Sequence, residues 1–344
     1  MSIKRVFTAI MAVALIISAF SGCGSNSGEV AETSAVDGST VVATVGDREI
    51  TMDEYRYFVF QAATLEMYSR NSEFTGDFSG VNWDETNENG VSLKDVVRDR
   101  ALNEALQYAL LAEDGEEKGV KLETEDTASI DTMLEQFAEQ NGEEELLKNL
   151  KAMGVTSVDG YKKLSSLMNM YYKVEEDFGV NRDKYIEDEE KLKEYADSDK
   201  VSAQHILIMN DSEKHDNPEA AINAILERAK AGEDFEALMA ENGEDPGQAA
   251  AGYSFGRGVM VPEFEAAAFA LDYGEISDVV RSDYGSHIIK RVVGICEYTN
   301  YLKDNMTVDI DEKLINEISA AEIVTDIYGA ITELQAQSGG AANE

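Results

Sequence analysis

Two short apolar runs, each with a histidine at its centre, constrain this chain most. They are Ser202-Ala203-Gln204-His205-Ile206-Leu207-Ile208 and Tyr284-Gly285-Ser286-His287-Ile288-Ile289-Lys290. Both read as strands. An imidazole that can gain or lose a proton near neutral pH suits a strand core poorly unless it has a partner or a task. All 3 histidines and all 3 prolines of the 344 residues lie between His205 and His287, so this stretch is set apart from the rest. Two such strands in one compact segment predict a shared site. The plainer reading of the same residues is a pair of satisfied core histidines that hold strands in register.

Around these runs the pattern alternates. Strand 201–209 is followed by a helix with Asn217 as its cap and Pro218 at its first position, where a missing N–H costs nothing. A shorter helix covers 234–241, a glycine-rich loop 242–261, and a third helix runs from Pro262 to about Leu271. Strands 277–282 and 286–295 flank a hairpin signal at Asp283-Tyr284-Gly285. With a short strand near Tyr253-Ser254-Phe255 the order is β-α-α-β-α-β-β. His215 reads as a solvated loop residue and Cys296 as buried apolar filler.

Upstream, Val41 to Ile50 reads as two strands turning at Gly46-Asp47. Thr51-Met52-Asp53-Glu54 is a capping box opening a helix to about Arg70. Residues 71–90 read as a long loop with Trp83 as its anchor. Asp84 to Asp95 only superficially suggests a calcium loop, because Asn89 stands where the turn needs glycine and Asp95 where the last ligand should be glutamate. Helical patterns follow, ending at Gly119, Gly142, Gly154 and Gly179, each a glycine placed for a left-handed cap. Met133, Met153, Met168 and Met170 lie on apolar stripes and read as core filler; an adaptable client-binding surface is the sharper alternative. The fold class is α+β: a mainly helical region at 41–198, then the mixed segment 199–298. Residues 299–344 are expected to pack on the helical region and to end in a disordered tail.

The formal charge of −39 excludes polyanions as partners, since such a chain repels nucleic acid and anionic lipid. Lys4 and Arg5 precede an apolar run to Phe20 that is too short to span a bilayer, which takes about 20 residues. Charged start, apolar middle and small residues before a cut describe a secretory signal at 1–22. Its end, Phe20-Ser21-Gly22-Cys23, resembles a bacterial lipobox, with Phe20 where leucine is usual; Cys23 is then the lipidated residue. Cleavage removes Lys4 and Arg5 and takes the charge from −39 to −41, a body that would need a covalent anchor to stay at an anionic surface. Residues 23–40 read as a flexible tether reaching roughly 20–25 Å.

Several blocks in segment 201–293 resemble a parvulin-type peptidyl-prolyl isomerase. They are Ala203-Gln204-His205-Ile206-Leu207, Glu244-Asp245-Pro246-Gly247, Phe255-Gly256-Arg257-Gly258, Met260-Val261-Pro262-Glu263-Phe264, Gly274-Glu275-Ile276-Ser277 and His287-Ile288-Ile289-Lys290. The helical region, opening Val42-Ala43-Thr44-Val45-Gly46-Asp47, looks like the chaperone part of extracytoplasmic foldases of the PrsA and SurA type. The lipobox favours the PrsA type.

The resemblance implies a four-stranded antiparallel sheet with helices. It implies catalytic roles for His205, Asp245 and His287, a proline seat at Met260 and Phe264, and a supporting hydroxyl at Ser282. Phe255 joins the substrate-binding set. The pattern departs at Ala250-Ala251-Gly252-Tyr253, where the family's leucine contact falls on Gly252 and Tyr253 is the candidate substitute. Loop 210–217 lacks an arginine cluster, so no preference for phosphorylated substrates is expected.

No cofactor or metal is implied. The expected partners are unfolded or newly secreted polypeptides, and the membrane through the lipid; a homodimer is left open. The expected place is outside the cytoplasmic membrane. The alternative is a holdase chaperone whose isomerase domain binds without catalysing, for which Gly252 is the motive. A solute-binding lipoprotein would need two α/β lobes, and 41–198 does not alternate that way.

Overall fold

A computed structural model describes residues 36–71, 73–245 and 252–340. The expected signal peptide, Cys23, most of the tether, Pro246-Gly247, Ala250-Ala251 and residues 341–344 lie outside them. The elements begin with β1 (Val41–Val45), β2 (Arg48–Thr51), α1 (Met52–Arg70), α2 (Leu93–Glu117), α3 (Thr124–Asn141), α4 (Glu143–Lys151), α5 (Val158–Val180) and α6 (Glu189–Lys193). There follow β3 (Lys200–Met209), α7 (Pro218–Lys230), α8 (Phe235–Asn242), β4 (Tyr253–Gly256), α9 (Pro262–Ala270), β5 (Val280–Ser282), β6 (Gly285–Val292) and α10 (Ile295–Asn305). Last come β7 (Val308–Ile310), α11 (Glu312–Glu317) and α12 (Ala320–Gly340).

Two compact units result, Met1–Lys173 with Met306–Glu344, and Val174–Asn305. In the first, antiparallel strands run in the order β2-β1-β7. Thr51 caps α1, its hydroxyl accepting the Glu54 N–H at 3.5 Å while the Glu54 carboxylate takes the Thr51 N–H at 2.7 Å. Asp53, fully buried, accepts the Thr156 N–H, the Thr156 hydroxyl and the Ser157 hydroxyl. One residue thereby ties the start of α1 to the entry of α5. Trp83 stacks on Phe78 with centroids 6.1 Å apart. Met168 and Met170 are core residues, whereas Met133 and Met153 are only half-buried. Gly119, Gly142 and Gly154 have positive φ after their helices, but Gly179 does not end α5. There the ladder continues, with Asn181 N–H donating to the Asp177 carbonyl.

The second unit is built on a four-stranded antiparallel sheet, order β4-β3-β6-β5, with the expected β-α-α-β-α-β-β sequence of elements. Alternation along β3 sorts its side chains by face. Ile206 and Ile208, with Ile288 from β6, pack under α7 and α8. Val201 and Ala203, with Ile289, pack under α9 through Phe264 and Ala268.

Two boundaries differ from the sequence reading. β5 is shorter than 277–282, with Ile276 held to Lys290 by an isolated bridge. β6 stops at Val292 rather than 295, because the Glu297 carboxylate takes the Gly294 N–H at 2.9 Å and starts α10. The unit also extends beyond 199–298. Phe178, Tyr185 and Tyr298, all buried, form one aromatic cluster with centroids 5.2–5.7 Å apart, and α10 packs on β3 and β4.

Candidate active site

Register brings the two histidines together. Leu207 of β3 lies opposite His287 of β6, and His205 opposite Ile289. Cross-strand partners share a face, as do residues two apart on one strand, so both rings emerge on the α9 side as diagonal neighbours. Their Nδ1 atoms are 3.2 Å apart, and the rings are near parallel at 15°. Both are about 4% exposed, so the contact is shielded from solvent.

Each ring has a second partner. His205 Nε2 lies 2.9 Å from Asp245 Oδ2, and His287 Nε2 lies 2.8 Å from the Ser282 hydroxyl. One proton per ring satisfies these contacts among the described residues. Ser282 donates to His287 Nε2, His287 Nδ1–H donates to His205 Nδ1, and His205 Nε2–H donates to Asp245. Tyr253 completes the row, its hydroxyl donating to the same Asp245 oxygen at 2.7 Å. Burial, then the neighbouring His205, lowers the His287 pKa from 6.5 to about 4, against a smaller opposing pull from Asp245. Burial, then Asp245, holds the Tyr253 phenol well above the usual tyrosine range.

Beside this row lies an apolar wall. Phe264 sets its ring edge-on to both imidazoles, 5.2 Å from His205 and 5.5 Å from His287. Pro262 at the start of α9 brings it there, and Met260 packs against the same cluster. Phe255, like Phe264, is buried. It packs against Phe264 and Phe269 and backs the wall.

His215 departs from the sequence reading. It is half-buried, and its Nε2 is shut away from solvent without a hydrogen-bond partner among the described residues. Cys296 is buried at the start of α10, where burial pushes its thiol up to about 11.

The sequence reading also missed why position 252 is glycine. Gly252 has φ +80°, and a Cβ there would stand 2.5 Å from the Ala203 carbonyl oxygen on β3. No side chain fits, and the family's leucine is excluded by this close approach. The next residue, Tyr253, supplies the bulk on β4. Also unforeseen was the buried carboxylate of Glu297, which accepts the Ser202 hydroxyl at 3.0 Å and the Tyr273 hydroxyl at 2.8 Å. Only the fold brings these positions together, so no local pattern announced them.

An antiparallel sheet carrying paired histidines, a carboxylate and a phenylalanine wall places the second unit with the parvulin-type peptidyl-prolyl isomerases. The family model described as PPIC-type PPIASE domain matches residues 188–293. Foldase protein PrsA of Caldanaerobacter subterraneus subsp. tengcongensis is 30% identical over 270 residues, 74% of this chain and 74% of that protein. Foldase protein PrsA of Geobacillus kaustophilus is 45% identical over 107 residues, 30% of this chain but only 35% of that protein's length. Among solved structures, NmPin, the parvulin of Nitrosopumilus maritimus, is 37% identical, covering 28% of this chain and 99% of that one, with a TM-score of 0.24. The chain belongs to the PrsA family of foldases.

Proposed function

We propose that this chain catalyses cis/trans isomerisation of X–Pro bonds in unfolded, newly exported polypeptides. It works on the outer side of the cytoplasmic membrane, held there by a lipid on Cys23 after residues 1–22 are removed. The observation that carries the catalytic reading is the 3.2 Å imidazole contact beside the Phe264 ring.

Rotation about the prolyl amide meets a barrier near ~18–20 kcal/mol because resonance must be broken. No covalent bond changes, so the site has only to bind the twisted amide better than either planar form. Twisting makes the amide less polar, which suits a prolyl ring seated against Phe264 and Met260. The polar row from Ser282 to Asp245 lies alongside to hold the carbonyl. Its members fix one another's protons and orientation, and a fixed row costs no reorganisation as the amide turns. His287, a weak base at about 4, stays uncharged at neutral pH. The close approach of Gly252 to β3 gives that glycine a structural reason, which supports the catalytic reading over a merely binding domain.

Prolyl-limited refolding of a test protein measures the activity. The full chain at a catalytic ratio is expected to accelerate it, and Phe264→Ala to lose about tenfold or more, the worth of ~1.4 kcal/mol or more of transition-state binding. Equal refolding rates with and without the wild-type chain would leave a holdase. For the anchor, labelled palmitate fed to expressing cells is expected in the wild-type chain and absent from Cys23→Ser. Equal label in both sinks the lipid.

A further inference from the structure

We propose that Glu244 is a positioning residue of the isomerase site, holding Asp245 against His205 by binding the edge of β3 at Leu207 and Met209. This rests on the isomerase reading above. Among the described residues β4 pairs with β3 from Lys200 to Ala203, and no described strand lies beside the same edge further along. Leu207 and Met209, two apart, direct their backbone groups to one side of the strand, and β6 lies on the other. Glu244 meets that edge twice. Its own N–H donates to the Leu207 carbonyl at 3.0 Å, and its carboxylate takes the Met209 N–H at 2.7 Å. One residue thereby binds two backbone groups of β3 beyond its described pairing with β4.

The other carboxylate oxygen accepts the Ser212 hydroxyl at 2.5 Å. The Ser212 oxygen in turn accepts the backbone N–H groups of Lys214 and His215, at 3.2 and 2.9 Å. The loop after β3 is thus folded about the same carboxylate. That loop buries His215 Nε2, which has no hydrogen-bond partner among the described residues, an arrangement that costs free energy. Asp245 is the next residue in the chain. With its backbone pinned on one side by Glu244, its carboxylate reaches His205 Nε2 and the Tyr253 hydroxyl. Glu244 itself lies outside the row of proton-sharing groups and has no contact with Phe264 among the contacts described. Its effect is therefore on the set of the row rather than on the proline seat.

The test is steady-state isomerisation of a proline tetrapeptide by the full chain, with melting midpoints in parallel. Glu244→Ala is expected to lower kcat about tenfold or more while KM stays within about twofold, as for an interaction felt only in the transition state. Glu244→Gln keeps the length but has a single acceptor oxygen for two donors, and should fall between. If Glu244→Ala does not fold, Glu244→Gln and Ser212→Ala carry the same expectation of reduced kcat at unchanged KM. Folded variants with unchanged kcat, or with a loss confined to KM, overturn the proposal. A wild-type chain at the uncatalysed rate overturns the isomerase reading itself, and the two failures are told apart by that control.

Discussion

Burial makes His287 a far weaker base than a free imidazole, and this has a consequence for stability. Its pKa is about 4 in the folded chain against 6.5 for the free group, so the unfolded chain takes the proton first as pH falls. The contribution is complete above pH 6.5 and is lost progressively as pH drops through 4. Melting midpoints of the wild type should therefore fall more steeply between pH 6.5 and 4 than those of His287→Gln. Parallel curves would mean that the buried imidazole is not what titrates. Gly252 makes a second prediction. Alanine there meets both the positive φ and the Ala203 carbonyl, so Gly252→Ala should cost on the order of 2 kcal/mol or more in denaturant unfolding. A neutral substitution would show that β4 can move away from β3.

Among the elements, those with strong local signals were legible. The Thr51 capping box, Pro218 and Pro262 at helix starts, and the alternation of β3 each announce themselves within a few residues. The histidine pair was legible because an ionisable ring inside an apolar strand is conspicuous. What stayed hidden depends on residues distant in sequence. The second histidine strand reads on to 295, yet Glu297 stops it at Val292 and starts α10 by reaching back to Gly294 and across to Ser202. Similarly, 174–198 read as the end of a helical domain, although Phe178 and Tyr185 pack on Tyr298. A fragment of residues 174–305 should thus resist denaturant better than one of residues 199–298, by about 3–5 kcal/mol, the usual worth of a deleted core aromatic. Equal stability of the two would remove the aromatic cluster from the structure of this unit.

At the scale of the whole molecule, the isomerase unit occupies the middle of the chain, and the first unit is assembled from both sides of it. β7, from beyond the isomerase unit, adds to the strand β1 that opens the described sheet, with Ala43 opposite Ile310. Three residues of strand are too little pattern for a sequence reading to place, which is why 299–344 was expected to pack there without a defined partner. The charge of −39 keeps such a chain away from polyanions. Function then turns on whether the buried pair of imidazoles lowers a prolyl barrier. Exchange NMR on an unphosphorylated proline peptide reads this directly. With a catalytic amount of the full wild-type chain, cis and trans resonances should exchange within the mixing time, and with His205→Ala or His287→Ala exchange should slow about tenfold or more. Exchange as fast in both variants as in the wild type would contradict a catalytic part for the pair.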